Sequence, residues 1–189
     1  MSDVDERLAA PGARIADVGC GEGWSTIALA RRYPNATVIG YDLDEASVEA
    51  ARANAKAAEV DAVFEHADAA AVPGGFDAAL VFEALHDFAR PVEVLGALRS
   101  ALADGGTLLV VDERVAESFT APGDQVERLM YGWSVTHCLP AALAEQPSAG
   151  LGTVLRPATV RELASKAGFD HCTEVPVEND FFRLYRLDR

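Results

Sequence analysis

The sequence contains few cysteines and few basic residues. Its three cysteines, Cys20, Cys138 and Cys172, lie far apart and lack the paired spacing of a zinc site or a disulfide framework. Sixteen lysines and arginines face thirty aspartates and glutamates, so the formal net charge is −14. Because so acidic a surface repels phosphate backbones and anionic lipid headgroups, we expect no nucleic-acid partner and no membrane partner.

The chain also lacks a long apolar run and a basic N-terminal signal. No apolar stretch approaches the ~20 residues that cross a bilayer, and the N-terminal MSDVDERL is acidic. Together with the unpaired cysteines, these absences predict a cytoplasmic, unexported protein. The 189 residues, half of them hydrophobic, are enough for one sizeable core, so we expect a single domain over residues 1–189.

Residues 13–113 alternate short β-like runs with alanine-rich helical stretches. The predicted strands cover 13–19, 37–42, 62–68, 76–82 and 107–113, and the predicted helices cover 23–33, 45–59 and 91–103. This alternation predicts an α/β fold of the Rossmann-like, doubly wound type, with a parallel sheet covered by helices on both faces.

The C-terminal region predicts one helix and two more strands. Residues 159–169 predict a helix that begins with Thr159 and has Glu162 three residues later, the arrangement of a capping box. The strand-like runs 172–178 and 180–187 are joined too tightly for a crossover helix. They therefore predict an antiparallel C-terminal β-hairpin, which completes a mostly parallel sheet of seven strands.

Residues 114–156 form a long insertion without strand-like alternation, here named the lid segment. It is too long for a plain connection, so we predict a helical insertion that covers a binding site. Its residues Met130, Tyr131, Trp133 and His137 suit contact with a flat, uncharged or aromatic substrate. The alternative is that these side chains only pack the segment onto the domain.

A glycine-rich loop, Asp17-Val18-Gly19-Cys20-Gly21-Glu22-Gly23, separates the first predicted strand from its helix. Glycines here let the backbone turn sharply and approach a ligand at the carboxyl edge of the sheet, which points to a nucleotide-type site. The spacing G-x-G-x-G and the following Trp24 argue against an NAD-dependent oxidoreductase. Two alternatives stay open: a tight turn without a ligand, and Asp17 as a helix cap.

Two carboxylates end the next two predicted strands. Asp42 is placed to accept hydrogen bonds from both hydroxyls of a ribose. Asp68 lies at the same edge and can accept one from an adenine amino group. With Asp17, these carboxylates have no neighbouring lysine or arginine, which favours a cationic adenosine ligand such as S-adenosylmethionine over a phosphorylated one.

The fourth predicted strand is followed by Glu83-Ala84-Leu85-His86-Asp87-Phe88. With a reference pKa of ~6.5, His86 is expected to be mostly neutral and able to accept a proton from an acceptor hydroxyl. The alternative is that His86 and Asp87 satisfy backbone groups at the start of the next helix. Asp112 and Glu113 are adjacent in a strand and are expected to point to opposite faces, so we predict no catalytic metal.

Taken together, these segments resemble the class I S-adenosylmethionine-dependent methyltransferases. The matching stretches occur in order across residues 13–113: ADVGCGEGWS, VIGYDLD, EHADAA, FDAALVFEALHDF and LADGGTLLVVDE. Residues 159–187 resemble that family's final helix and reversed β-hairpin. The run LHDF also resembles the His-Asp-aromatic motif of small-molecule O-methyltransferases, in which the histidine is the base.

The resemblance implies methyl transfer from S-adenosylmethionine to a small-molecule acceptor, with S-adenosylhomocysteine as the product. The acceptor atom would be an oxygen before a nitrogen or a carbon, and His86 would be the catalytic base. The implied cofactor-binding residues are Asp17, Gly19, Gly21 and Gly23 around the methionine portion, Asp42 at the ribose, Asp68 and Ala69 at the adenine, and also Leu43 and Glu83.

The stretch DERVAESFTAPGDQVERLMYGWSVTHCLP further resembles a bacterial subgroup in which a winged-helix domain precedes the methyltransferase domain. That domain is absent from this sequence, so the lid segment or a second copy in a homodimer would have to complete the substrate site. The alternative function is a non-catalytic S-adenosylmethionine-binding module or assembly partner.

Overall fold

The computed structural model describes all 189 residues as seven helices and seven strands, with short 3-10 and π turns between them. The helices are α1 (Ser2–Ala9), α2 (Trp24–Arg32), α3 (Glu45–Ala57), α4 (Pro91–Ala101), α5 (Gln125–Trp133), α6 (Leu139–Ala144) and α7 (Pro157–Lys166). The strands are β1 (Arg14–Val18), β2 (Thr37–Asp42), β3 (Val63–His66), β4 (Phe76–Phe82), β5 (Leu102–Glu113), β6 (His171–Val175) and β7 (Phe182–Asp188).

All seven strands form one sheet in the order β3-β2-β1-β4-β5-β7-β6. Strands β1 to β5 pair in parallel, and β7 pairs antiparallel with both β5 and β6. The predicted fold class, including the reversed C-terminal hairpin, is confirmed. Because the first five strands run the same way, their carboxyl ends meet at one edge, where a doubly wound fold places its ligands.

The sheet is buried on both faces. Along β1, Ile15 packs with Val4 and Leu8 of α1, whereas Ala16 and Val18 belong to the larger core that contains residues of α4 and α7. This alternation follows from the two-residue period of a strand. Both faces of the sheet are therefore packed against helices beneath the edge where the loops lie.

Two local features differ from expectation. The N-terminal residues form α1, which the sequence reasoning did not predict, and their signal was the apolar pair Val4 and Leu8 at helical spacing. The capping box predicted at Thr159 is wrong, because α7 begins at Pro157 with Arg156 as its N-cap. Proline is suited to the first helical position, since its fixed φ is helical and it lacks an N–H that would stay unpaired there.

The lid segment is helical and contains α5, a π-helical turn over Ser134–Cys138, and α6. Buried Glu127 of α5 pairs with Arg156 (Oε1 to Nη2, 2.6 Å), which also donates to the carbonyl of Ala116.

None of the helices in the protein has both the length and the apolar character required to cross a membrane.

Candidate active site

The glycine loop is packed against β3 and against the turn that follows β4. Gly19 and Gly23 have φ of +73° and +82°, in the left-handed region that favours glycine. A Cβ on Gly19 would lie 2.7 Å from the Cβ of Ala84, and one on Gly23 would lie 2.6 Å from the ring of Phe64. Both glycines are therefore required by packing as well as by the turn, and the loop sits tightly against its neighbours.

Asp42, at the end of β2, connects this loop to its own strand. Its Oδ2 accepts a hydrogen bond from the backbone N–H of Gly21 (2.7 Å), and its Oδ1 accepts one from that of Asp44 (2.9 Å). A carboxylate offers about four acceptor positions, so both oxygens can still accept from a ligand hydroxyl. The predicted ribose contact is compatible with this geometry.

Asp17 is completely buried beneath the loop and does not line the cavity. Its Oδ2 accepts from the hydroxyls of Ser25 (2.5 Å) and Thr26 (2.6 Å), in the first turn of α2. Burial raises the pKa of Asp17 even though these hydrogen bonds oppose the shift. Asp17 therefore contacts side chains in the first turn of α2, whose N-cap is Gly23, and its direct contact with a ligand stays a prediction.

A cavity of about 320 Å³ opens at the carboxyl edge beside this loop. Of the predicted cofactor-binding residues, six line it: Gly19, Asp42, Leu43, Asp68, Ala69 and Glu83. Gly21 and Gly23 do not, although they shape the loop. The lining also includes residues that sequence reasoning missed, among them Tyr41, Ala84, Phe88, Arg90, Val94 and Glu145.

The charge in this cavity is strongly negative. Six acidic side chains line it, those of Asp42, Asp68, Glu83, Asp87, Glu93 and Glu145, against one cation, Arg90. Arg90 is itself paired with Glu93 and with Glu145 of the lid segment, each at 3.2 Å. Such a site attracts a cationic ligand and repels a phosphorylated one.

His86 lies beside the cavity on a 3-10 turn over Leu85–Asp87, and it is buried. Its Nδ1 is 3.0 Å from Asp112 Oδ1 and 3.2 Å from Glu113 Oε2. The expectation that Asp112 and Glu113 diverge is therefore wrong. Glu113 is the last residue of β5, and its longer side chain brings its carboxylate to the same ring nitrogen.

The carboxylates around His86 change its proton affinity. Burial alone would lower the pKa of His86, but the contacts with Asp112 and Glu113 outweigh it and raise that pKa well above its usual value. The expectation of a mostly neutral ring is therefore wrong, since the imidazole holds its proton at neutral pH. Burial also raises the pKa of Asp112.

Glu83 combines a strained backbone with a perturbed carboxyl. Its φ is +53°, which is uncommon for a residue other than glycine, and its N–H donates to the carbonyl of Val111 (2.9 Å). The residue is exposed to the cavity, but its carboxyl is largely surrounded by protein. This desolvation, followed by repulsion from Glu113 and Asp112, raises the pKa of Glu83 to about 8. Such outliers cluster at functional sites.

The predicted substrate residues of the lid segment do not line this cavity. Met130 is fully buried, whereas Tyr131, Trp133 and His137 are exposed. Tyr131 accepts a hydrogen bond from Arg156 (3.0 Å) and packs edge-on against Phe119. Their contact with a substrate stays a prediction, and for Met130 the structure favours the packing alternative.

Comparison with known proteins agrees with this architecture. A family model described as a methyltransferase domain matches residues 9–152. The ubiquinone biosynthesis O-methyltransferase of Xanthomonas campestris pv. campestris is 38% identical over 111 residues, which are 57% of this chain and 46% of that protein. The trans-aconitate 2-methyltransferase of Methylobacterium radiotolerans is 35% identical over 166 residues, 85% of this chain and 58% of that protein.

The chain thus spans about half the length of these curated relatives. Among solved structures, the apo form of the S-adenosylmethionine-dependent methyltransferase SibL gives a TM-score of 0.75 at 22% identity, over 98% of this chain and 54% of that chain. This likeness concerns the fold. The chain belongs to the methyltransferase-domain family and has the class I fold of S-adenosylmethionine-dependent methyltransferases.

Proposed function

We propose that this chain catalyses methyl transfer from S-adenosylmethionine to a hydroxyl oxygen of a small aromatic or apolar molecule. The observation that carries the proposal is the single cavity that joins Asp42 and Asp68 to Glu83 and Asp87, next to the buried ring of His86. The acidic lining suits a donor with a sulfonium and an ammonium group. The relatives' names, an O-methyltransferase among them, support the same reaction class.

The residues at the β2 and β3 ends would bind the donor. Asp42 has acceptor positions left for the ribose hydroxyls, and Leu43, Asp68 and Ala69 line the part of the cavity assigned to the adenine. The sulfonium supplies an already activated methyl group. Orientation of the two substrates and exclusion of water are therefore the main contributions of this chain.

His86 would receive the proton that the acceptor hydroxyl loses. The acceptor oxygen would form a bond to the methyl carbon while the carbon–sulfur bond breaks and its electron pair stays on sulfur. The proton of the acceptor hydroxyl would pass to Nε2 of His86. His86 must first lose the proton that it holds at neutral pH. Positive charge in the adjacent cavity lowers its pKa and so favours the neutral ring, while Asp112 fixes the ring through Nδ1.

The acidic net charge supports a small molecule, and not a nucleic acid, as the partner, and the proposed place of action is the cytoplasm. The lid segment would cover the acceptor. It exposes Trp133 and Val135, at 49% and 66% of their surface, which a second copy in a homodimer would cover. Light scattering at micromolar concentration tests that assembly.

Calorimetry with S-adenosylmethionine and S-adenosylhomocysteine, in parallel with turnover on a panel of phenols, tests the proposed function. Binding of both ligands together with methylated product supports it. Binding without turnover on any acceptor indicates a non-catalytic binding module instead. Absence of binding contradicts the assignment of the cavity.

A further inference from the structure

The side of the His86 ring that faces away from Asp112 lies in a second cluster. His86, Asp87 and Cys138 each place one potential ligand atom within 4.8 Å of the others. His86 Nε2 is 3.6 Å from Asp87 Oδ1, which is too far for a hydrogen bond, and the ring has no other partner on that side. Only 3% of the His86 side chain is exposed, and its Nε2, which has no hydrogen-bond partner, lies beside a carboxylate and a thiol.

These three atom types form a zinc donor set. Zinc is bound by cysteine sulfur, histidine nitrogen and aspartate oxygen at about 2.0–2.3 Å, and its reactive sites keep three protein ligands and one open position. Tetrahedral bonds of that length separate neighbouring ligand atoms by about 3.3–3.6 Å. The separation of 3.6 Å between Nε2 and Oδ1 therefore already suits a shared ion.

The surroundings of His86 match those of a metal-bound histidine. A ligating imidazole commonly donates its other N–H to a carboxylate, which fixes the ring and strengthens it as a ligand. Here Nδ1 donates to the buried Asp112 at 3.0 Å. The carboxyl groups of Asp87, Asp112 and Glu113 surround the single positive charge of His86, so the local field favours a dication.

The backbone of the lid segment also brings the third ligand, Cys138, next to His86 and Asp87. Cys138 ends the π-helical turn over Ser134–Cys138, and such turns are frequent at functional sites. The lid segment is fixed at this position because the N–H of Gly152 donates to the carbonyl of His86 (3.2 Å). Asp87 is exposed and Cys138 is half-buried, so an ion can reach them.

A second possible set, His86 with Asp112 and Glu113, is less suitable. All three residues are buried, and that set would use Nδ1, whose proton Asp112 already accepts. Only the set of His86, Asp87 and Cys138 combines access from solvent, a sulfur ligand and a ring nitrogen without a hydrogen-bond partner.

We propose that His86 Nε2, Asp87 and Cys138 form a zinc site with one open position. Binding forms Zn–N, Zn–O and Zn–S bonds, and the protons on Nε2 and Sγ leave to solvent. If the chain transfers methyl groups as proposed above, zinc occupies the nitrogen that accepts the proton. Zinc then inhibits the enzyme.

Titration of the tag-free, metal-free full chain tests the site without methyl donor or acceptor. We expect one Zn²⁺ per chain, and Co²⁺ in its place gives a thiolate-to-cobalt charge-transfer band. Cys138→Ser should lose this band and bind zinc at least about tenfold more weakly. The matched control Cys172→Ser, which alters a cysteine outside the cluster, should keep both.

A wild-type chain without the cobalt–thiolate band, or a band that persists in Cys138→Ser, overturns the proposal. A folding defect in the variant does not affect the wild-type measurement. Asp112→Asn should lower the zinc affinity about 10- to 100-fold, and an unchanged affinity contradicts the supporting role of that carboxylate.

Methyl-transfer rates measured with and without zinc separate the zinc site from the proposed function. Zinc binding by a chain that methylates nothing leaves the site intact and contradicts only the methyl transfer. Methyl transfer that continues at saturating zinc overturns the proposed inhibition and the role of His86 as the base, whereas the cobalt–thiolate band reports the metal site itself.

Discussion

Asp42 accepts a hydrogen bond from the backbone of Gly21 at 2.7 Å, so the carboxylate assigned to the donor also fixes the glycine loop. Asp42→Ala should weaken binding of S-adenosylmethionine and S-adenosylhomocysteine alike, by about 1.5–3 kcal/mol for hydrogen bonds that involve a charged group. Calorimetry measures the loss. Asp61→Ala, at an exposed carboxylate outside the cavity, is the control, and equal affinities in the two folded variants would remove Asp42 from the site.

His86→Gln should lower turnover about 10²- to 10⁴-fold, because a neutral hydroxyl is a poor nucleophile without a positioned base. Affinity for S-adenosylhomocysteine should change little, since its assigned contacts lie at Asp42 and Asp68. Initial rates and calorimetry on the same preparations check both statements. His171→Gln alters an exposed histidine on β6 and should behave as wild type; full turnover in His86→Gln would make that ring structural.

Turnover of the metal-free protein should fall as the pH is lowered. Asp112 and Glu113 raise the pKa of His86, so the ring is protonated below that raised value and accepts protons only as the pH rises toward it. Glu83, Asp87 and Cys138 also lie beside this cluster, and the charge of His137 acts on Asp87. Asp112→Asn removes one charge, lowers the pKa of His86, and should shift the acidic limb of the pH–rate profile to lower pH.

That shift is read from kcat measured between about pH 6 and pH 10 with a stable acceptor. The reference variant is Asp124→Asn, at the N-cap of α5 and remote from His86 in the sequence. A limb that stays in place in Asp112→Asn would mean that another group controls the rate.

The lid segment should gain protection from hydrogen exchange when S-adenosylhomocysteine is bound. One of its contacts with the cavity, the Arg90–Glu145 pair, is made by exposed groups that a ligand can reorganise. Mass spectrometry of peptides from residues 114–156 measures the change, with β1 as the internal reference. Strong and equal protection in both states would identify the segment as part of the core.

The three thiols should differ in reactivity. Burial, then the charges of Asp17 and Asp42, raises the pKa of Cys20 to about 12, and burial raises that of Cys172 to about 11. Since the thiolate is the nucleophile, both should resist alkylation at pH 8, and Cys138 should react first. Peptide mapping after brief iodoacetamide treatment decides this, and early labelling of Cys20 in folded protein would contradict it.

Residues that end parallel strands could be predicted from the sequence. Asp42 and Asp68 follow adjacent strands, so topology alone brings them to one edge. The partner of His86 could not be predicted, because the alternation rule separates Asp112 from Glu113, while the actual arrangement depends on side-chain length at the end of β5. Glu145 and Cys138 have no local signal, since only the packing of the lid segment brings Glu145 to the cavity and Cys138 to His86.

Asp17 could have been placed better from the sequence. Ser25 and Thr26 open the helix directly after the glycine loop, and their hydroxyls are natural partners for a buried carboxylate at a helix end. The α1 helix was likewise visible in the spacing of Val4 and Leu8.

The strand order has a consequence for how the protein is made. The interior strand β7 emerges last from the ribosome among the seven, and it inserts between β5 and β6. Arg183 and Phe182 of β7 pair with Asp112 and Glu113, the residues that contact His86. The surroundings of His86 therefore stay incomplete until β7 has left the exit tunnel and paired with β5.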